Sequence, residues 1–139
     1  MRASLLRVGL VVLGVAGCGD GGATLACSTC ENVAGTWNAA ETVHSDACGT
    51  GTLHTTRQYV ITQTGCEVTL AAGGSTFTGA VCDSGMSWTG HYPLGSGTTT
   101  INSASVTLAG TSLTGTLNWS WTNGTKSCTG TTDLTAPRG

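Results

Sequence analysis

Apolar and hydroxyl-bearing residues alternate along most of the chain from residue 35 onward. The stretch VTLAAGGSTFTGAV at 68–81 is typical, because apolar side chains recur at every second position on either side of a glycine pair. A period of two indicates β-strands that bury one face, and no apolar residues recur at helical spacing. The pattern therefore predicts an all-β domain. About eight segments qualify as strands: 35–44, 54–63, 66–72, 75–81, 86–94, 98–109, 112–122 and 125–136.

Tight turns between these segments predict which residues face each other. The glycine-containing pairs at 73–74, 110–111 and 123–124 suit two-residue hairpin loops, whose twist matches that of the strands they join. Each loop sets a register in which apolar residues share one face and threonines fall on the other. The expected cross-strand pairs include Leu70 with Phe77, Leu108 with Leu113, and Trp121 with Lys126.

An antiparallel meander of eight strands closes naturally into a barrel, because closure removes the exposed edges. In the expected registers bulky side chains face glycines across the ladder, as Trp88 faces Gly79 and Leu117 faces Gly130. This arrangement suits a narrow interior that is filled by side chains. The sequence thus predicts an up-and-down β-barrel, with a β-sandwich as the alternative.

The first seventeen residues have the features of an export signal. Arg2 and Arg7 precede an apolar run that is too short to span a bilayer. The run ends in Val15-Ala16-Gly17-Cys18, which resembles the lipobox of bacterial lipoproteins. The resemblance implies cleavage before Cys18 and acylation of that cysteine, and several acyl chains anchor a protein stably. An ordinary secretory signal with a chance cysteine is the alternative.

The expected organisation follows from this resemblance. Residues 1–17 are a signal peptide, 18–33 contain the lipidated cysteine and a glycine-rich tether, and 34–139 form the barrel. By the sorting rule of bacterial lipoproteins, Gly19 in place of aspartate after the cysteine implies the outer membrane. We therefore expect a protein of the bacterial cell envelope that is attached to the membrane through its lipid.

The mature chain is acidic and sparsely charged. Without the signal peptide it keeps three basic residues, Arg57, Lys126 and Arg138, against seven acidic ones, so its net charge is about −4. A surface of this kind lacks the basic patch that nucleic-acid binding needs. Nucleic acid is therefore excluded as a partner.

Apart from Cys18 the chain has six cysteines, and an even number in an oxidising compartment indicates disulfide bonds. Successive loops of a meander alternate between the two ends of the barrel. Cys66 therefore meets Cys82 at one end. Cys48 meets Cys128 at the other end, where the first and last strands come together.

The two cysteines that are left, Cys27 and Cys30, lie close together in the sequence CSTC. With the other four paired, they are expected to bridge each other, and such a short loop adds little stability. A redox C-x-x-C motif is the alternative, but the strand-then-helix setting of thioredoxins is missing.

The sequence Gly35-Thr36-Trp37 opens the first strand, and Arg138 lies at the end of the last. These positions resemble the signature of lipocalins and their calycin relatives, in which a basic residue from the chain's end packs over the tryptophan. The resemblance implies a barrel that binds small apolar molecules through one open end. The longer connections, 45–53 and 94–97, mark the expected mouth. Biotin is not implied, because the Gly-Ser that follows the tryptophan in biotin-binding relatives is missing.

Some polar residues are expected to point into the lumen. If the first strand alternates from its tryptophan, Glu41 points inward and lies opposite Arg57. Lys126 points inward beside Trp121, with Tyr59 nearby. Because charged groups in a lumen need partners or water, these residues form the candidate ligand site. The alternative is a structural salt bridge in a filled barrel.

No pattern in the sequence is typical of catalysis or of metal binding. His44, Asp46, Cys48 and His54 include metal-ligand types, but their spacing matches no metal site, and the cysteine is used in a disulfide. The motifs of serine hydrolases, zinc proteases and P-loop proteins are missing. We therefore expect no enzymatic activity, no cofactor and no metal.

Two functions from different classes fit this sequence. The first is a non-catalytic structural or protein-interaction barrel that is presented on the cell envelope. The alternative is a calycin-like barrel that binds a small ligand. A cavity in the lumen favours the ligand-binding function, whereas a filled lumen favours the structural or interaction function.

Overall fold

A computed structural model of the protein describes residues 27–45 and 47–139. The expected signal peptide at 1–17, Cys18 and Asp46 lie outside these residues. The described chain forms eight strands: β1 (Gly35–Ser45), β2 (Gly51–Thr64), β3 (Glu67–Ala72), β4 (Ser75–Cys82), β5 (Gly85–Leu94), β6 (Gly97–Ala109), β7 (Ser112–Thr122) and β8 (Ser127–Pro137).

Each strand pairs antiparallel with the next, and β8 pairs with β1, so the sheet closes into an up-and-down barrel. The predicted fold class is confirmed, and the β-sandwich alternative is wrong. Within residues 27–45 and 47–139, no helical segment has the length and hydropathy of a transmembrane span.

Alternation explains why these segments become strands of a barrel. Strand β3 buries every second residue, with Val68, Leu70 and Ala72 inside and their neighbours exposed. The same alternation on the other strands gives a continuous apolar core, while most threonines face outward. Branched hydroxyl side chains suit this outer face because threonine favours extended backbone and its hydroxyl remains in water.

The glycine-centred turns set the expected registers in two of three hairpins. Leu70 lies opposite Phe77 and Leu108 lies opposite Leu113, as predicted. The connection from β7 to β8 is longer than predicted, so Trp121 lies opposite Cys128 and not opposite Lys126.

The longer connection is stabilised by the side chain of Asn123. Its Oδ1 accepts hydrogen bonds from the backbone N–H groups of Thr125 and Lys126, at 3.1 and 2.8 Å. This local bonding keeps Lys126 out of the ladder and shifts the register by two residues. As a result Gly130 faces Trp119 and not Leu117. A shift of two leaves every side chain of β8 on its expected face.

Tryptophans lie over glycines of the neighbouring strand. Trp88 faces Gly79, as predicted from the sequence. A Cβ atom built on Gly79 would lie 2.8 Å from the Cα of Trp88, closer than real Cβ atoms approach. The same crowding occurs at Gly130 beneath Trp119. Glycine at these positions lets a large ring fit inside a narrow barrel.

One end of the barrel is closed by Trp37 and the chain's last residues. Trp37 is fully buried, and its Nε1 donates to the carbonyl of Val33 at 2.9 Å. The Arg138 guanidinium lies 4.3 Å from the centre of the indole, which confirms the expected stacking. Its nitrogens donate to the carbonyls of Ala34 and Asn32, at 2.8 and 3.1 Å.

Two of the three predicted disulfide pairings are wrong. The Cys48–Cys128 bridge is confirmed, at the end opposite Trp37. The bridges Cys27–Cys82 and Cys30–Cys66 replace the expected Cys66–Cys82 and Cys27–Cys30 pairs. The new bridges close loops of 55 and 36 residues, each worth about 4 kcal/mol in the chain-entropy model, against about 2 kcal/mol for a local Cys27–Cys30 bridge.

Asp83 explains the exchange of partners. Its backbone N–H donates to the carbonyl of Thr29 at 2.7 Å, and its carboxylate accepts hydrogen bonds from Ser28 and Thr29. These hydrogen bonds lower the pKa of the Asp83 carboxyl from its usual value, with that from Ser28 contributing most. They draw the CSTC segment against the closed end. The part of the expected tether that is described, residues 27–33, therefore packs on the barrel.

We expect Gly79→Ala to lower the free energy of unfolding by about 1–3 kcal/mol, because the added methyl group meets the backbone beneath Trp88. Gly85→Ala is the matched control, since a Cβ there meets only the Cys82 carbonyl oxygen, at 3.4 Å. Urea unfolding followed by tryptophan fluorescence measures both. Equal stability of the two variants would contradict the packing argument.

Candidate functional site

The barrel opens at the end opposite Trp37, into a cavity of about 760 Å³. The connections at 47–50, 95–96 and 123–126 lie at the opening, which confirms the mouth expected from the longer loops. The lumen is therefore not filled along its whole length, and the filled-barrel alternative does not hold for the half near the mouth.

The size of the inward residues explains where the cavity lies. Toward the closed end the inward side chains include Ile61, Val106 and Leu113, none of which lines the cavity. Toward the mouth the inward positions include Ala72, Thr99 and Thr132, which are much smaller. The strands leave space between them because these short side chains do not reach the barrel axis.

The cavity wall is rich in aromatic rings. Tyr59 and Trp88 meet edge to face, with ring centres 6.3 Å apart, and Phe77 meets Tyr92 in the same way at 6.1 Å. Such pairs hold the rings in defined orientations. The rings that line the cavity are Tyr59, Phe77, Trp88, Tyr92, Trp119 and Trp121.

An ion pair with a buried carboxylate lies in one wall of the cavity. Glu41 is 7% exposed, and its Oε2 lies 3.1 Å from Nη2 of Arg57. Tyr59 donates its hydroxyl to Oε1 of Glu41, and Thr55 donates to Oε2 at 3.1 Å. Both carboxylate oxygens are therefore engaged, as a buried charge requires.

The ion pair forms on a diagonal of the ladder. Glu41 lies directly opposite Thr55 and not opposite Arg57 as expected, while Arg57 lies opposite Ala39. Both charged residues remain on the inner face because the register differs by two positions. The long arginine side chain spans the diagonal to reach the carboxylate.

The surroundings of Tyr59 keep its hydroxyl protonated. Burial raises the pKa of the phenol, and the negative charge and hydrogen bond of Glu41 raise it further. The phenol therefore acts as a hydrogen-bond donor throughout the ordinary pH range. It donates to the carboxylate and is not itself a source of negative charge in the lumen.

The remaining predicted site residues lie nearer the mouth. Trp121 is half-buried, and its Nε1 donates to the carbonyl of Leu94 at 3.0 Å. Lys126 lines the rim but is exposed, because it belongs to the connection before β8 and not to the strand. The structure thus brings Glu41, Arg57 and Tyr59 together, while Lys126 stands apart in water.

Besides Thr55, two further inward threonines were missed in the sequence, where threonines were expected to face outward. Thr132 is 5% exposed, and its Oγ1 accepts a hydrogen bond from Nε1 of Trp119 at 3.1 Å. Thr99 is 1% exposed, and within residues 27–45 and 47–139 its Oγ1 is a buried side-chain oxygen without a hydrogen-bond partner. The alternation itself is the signal that locates them, since both occupy inward positions of their strands.

The histidines considered as metal ligands lie on the outer surface. His44 Nε2 is 3.1 Å from Asp133 Oδ2, and His54 Nδ1 is 3.2 Å from the Thr42 hydroxyl. The described part of the chain contains no group of three side chains that could hold a metal ion.

The fold and the site define a small antiparallel β-barrel with an open, aromatic-lined lumen. Comparison of the chain with protein-family models, with curated proteins and with solved structures finds no match.

We expect Thr99→Val to raise the free energy of unfolding by about 1 kcal/mol, because it replaces an unpartnered buried hydroxyl by a methyl group of similar shape. Thr100→Val, on the exposed outer face of the same strand, is the control and changes stability by less than about 0.5 kcal/mol. Urea unfolding measures both variants. A loss of stability in Thr99→Val would show that the hydroxyl is bonded.

Proposed function

We propose that the protein is a lipid-anchored barrel of the bacterial cell envelope that binds a small, largely apolar molecule in its lumen. The observation that carries this proposal is the cavity of about 760 Å³. Cavities that hold small molecules measure about 300–1,000 Å³ and are lined mainly by apolar and aromatic groups with a few polar ones. The lumen matches both criteria.

The contact at the closed end supports a calycin-like relationship. Trp37 on the first strand and Arg138 after the last strand stack as the lipocalin signature implies. An eight-stranded meander is compatible with that architecture. In our proposal, the closed end stabilises the barrel and the opposite end admits the ligand.

The anchor is proposed from the lipobox, and the position of Cys27 is compatible with it. Cys27 is bridged to Cys82 at the closed end, which is the end away from the mouth. The nine residues from Cys18 to Cys27 span at most about 30 Å. In this arrangement the closed end faces the membrane, and the mouth opens into the aqueous space.

A protein-interaction role is the second candidate, and the rim of the mouth favours it. Leu53 and Leu94 are 47% and 54% exposed, and both lie at the opening. Exposed apolar residues beside a cavity serve either a ligand or a partner protein. In both roles the protein acts without catalysis.

Filling the cavity provides the direct test of ligand binding. Ala72 is buried and lines the lumen, so Ala72→Trp places an indole in the space of the ligand. We expect wild-type protein to bind the uncharged fluorescent probe N-phenyl-1-naphthylamine, and Ala72→Trp to weaken binding at least about tenfold. Fluorescence titration measures the affinity.

The neighbouring residue supplies the control. Ala71 is exposed on the outer face of the same strand, so Ala71→Trp adds the same side chain outside the barrel. We expect this variant to bind the probe as the wild type does. A wild type that binds no probe would contradict the ligand-binding proposal and favour the interaction role, as would equal binding by the two tryptophan variants.

The anchor is tested independently in a two-membrane bacterial host. We expect wild-type protein to incorporate labelled palmitate and to fractionate with the outer membrane, because the acylated cysteine inserts into it. Cys18→Ser removes the acceptor thiol, so both properties are lost. Release of unlabelled wild-type protein into the soluble fraction would refute the lipid anchor.

A further inference from the structure

The Glu41 carboxylate occupies a complete set of hydrogen-bond donors inside the lumen. Arg57, Tyr59 and Thr55 all direct their donors at its two oxygens. A guanidinium and hydroxyl groups around one carboxylate are the usual elements of an anion-binding site. In this protein the anion is part of the chain.

Three of the rings in the cavity wall, those of Tyr59, Trp119 and Trp121, have polar atoms that are engaged within the protein. Trp119 donates its indole N–H to Thr132, and Trp121 donates to the carbonyl of Leu94. The phenol of Tyr59 is engaged by Glu41. These side chains therefore offer ring surface to a ligand, and their hydrogen bonds are already made.

The buried charge in the cavity wall is that of Glu41, and it is neutralised by a partner within the protein. Glu41 is 7% exposed and is paired with Arg57, whose side chain is one-third exposed and also lies 5.9 Å from the centre of the Tyr92 ring. Lys126 is at the rim in water, where its field is screened. An ionised ligand that enters the lumen loses its hydration and gains no free counter-charge, so it binds unfavourably.

We propose, on the basis of the proposed ligand-binding function, that Glu41 determines the specificity of the lumen. Its carboxylate closes an anion site formed by Thr55, Arg57 and Tyr59. The lumen therefore accepts uncharged aromatic or conjugated molecules and excludes ionised molecules of the same shape. Loss of this carboxylate opens the site to a ligand's own carboxylate.

Three naphthalene probes of similar size test the selectivity of the wild type. They are 2-acetylnaphthalene, which is uncharged, 2-naphthoate, which is an anion, and 2-naphthylmethylammonium, which is a cation. We expect calorimetric titration of the wild-type protein to show that the ketone binds at least about tenfold more tightly than either ion.

Variants of the carboxylate test its role. Glu41→Ala frees Arg57 and both hydroxyl donors, so we expect 2-naphthoate to bind about tenfold more tightly than to the wild type. The affinity for the ketone changes less than about threefold, since its contacts are with ring surfaces. Glu41→Gln keeps the side-chain volume but leaves the positive charge of Arg57 without its counter-charge. The affinity for naphthoate therefore rises in this variant as well, and it provides the test if the alanine variant does not fold.

Glu67→Ala is the matched control, because it removes the same charge from the exposed outer face of β3. We expect its affinities to equal those of the wild type. Equal binding of naphthoate and ketone by the wild type would overturn this inference while leaving ligand binding intact. An unchanged naphthoate affinity in the folded Glu41 variants, or a rise of the same size in Glu67→Ala, would also overturn it. A wild type that binds none of the probes overturns the proposed function and this inference together.

Discussion

The narrowness of an eight-stranded barrel is the constraint on which the rest of the structure depends. Such a barrel is just wide enough for side chains to fill it. The large rings of Trp88 and Trp119 fit inside because the neighbouring strand supplies a glycine, Gly79 or Gly130. Where inward residues are short, as at Thr99 and Ala72, the same geometry leaves a cavity. The size of alternate residues therefore divides the lumen into a packed half and an open half.

The electrostatics of the lumen follow from the same geometry. A carboxylate in this narrow apolar space is stable only with its partners in place, because an unpaired ion in such surroundings is strongly disfavoured. The chain supplies those partners from the adjacent strand, at alternate positions 55, 57 and 59. Because they share one face of β2, a single strand neutralises the carboxylate of β1. As a result, the buried charge in the lumen is neutralised within the protein, and aromatic rings line the cavity.

The two ends of the barrel differ in how many contacts restrain them. The closed end combines the Trp37–Arg138 stack with the Cys27–Cys82 and Cys30–Cys66 bridges, so the described segment before β1 and the residues after β8 are held at the same end. The open end has one bridge, Cys48–Cys128, between the connection after β1 and the start of β8. Restraint is thus concentrated away from the mouth. The mouth itself is formed by connections between strands, and these connections form the rim of the cavity.

Local patterns were sufficient to predict the strands, most of the turns and the inner face of nearly every strand. The reason is that alternation and glycine turns are properties of neighbouring residues, and a register error of two does not change a face. The pairing of Glu41 with Arg57 was predictable for the same reason, although their direct opposition was not.

Tertiary structure alone decided the partners of Cys27, Cys30, Cys66 and Cys82 and the volume of the cavity. Cys27 and Cys30 found distant partners because Asp83 binds the segment around them, a contact between residues more than 50 positions apart. The cavity depends on the lengths of side chains that converge from many strands at once. Local sequence patterns do not reveal which side chains from distant strands will converge, whereas the closed barrel brings those side chains together.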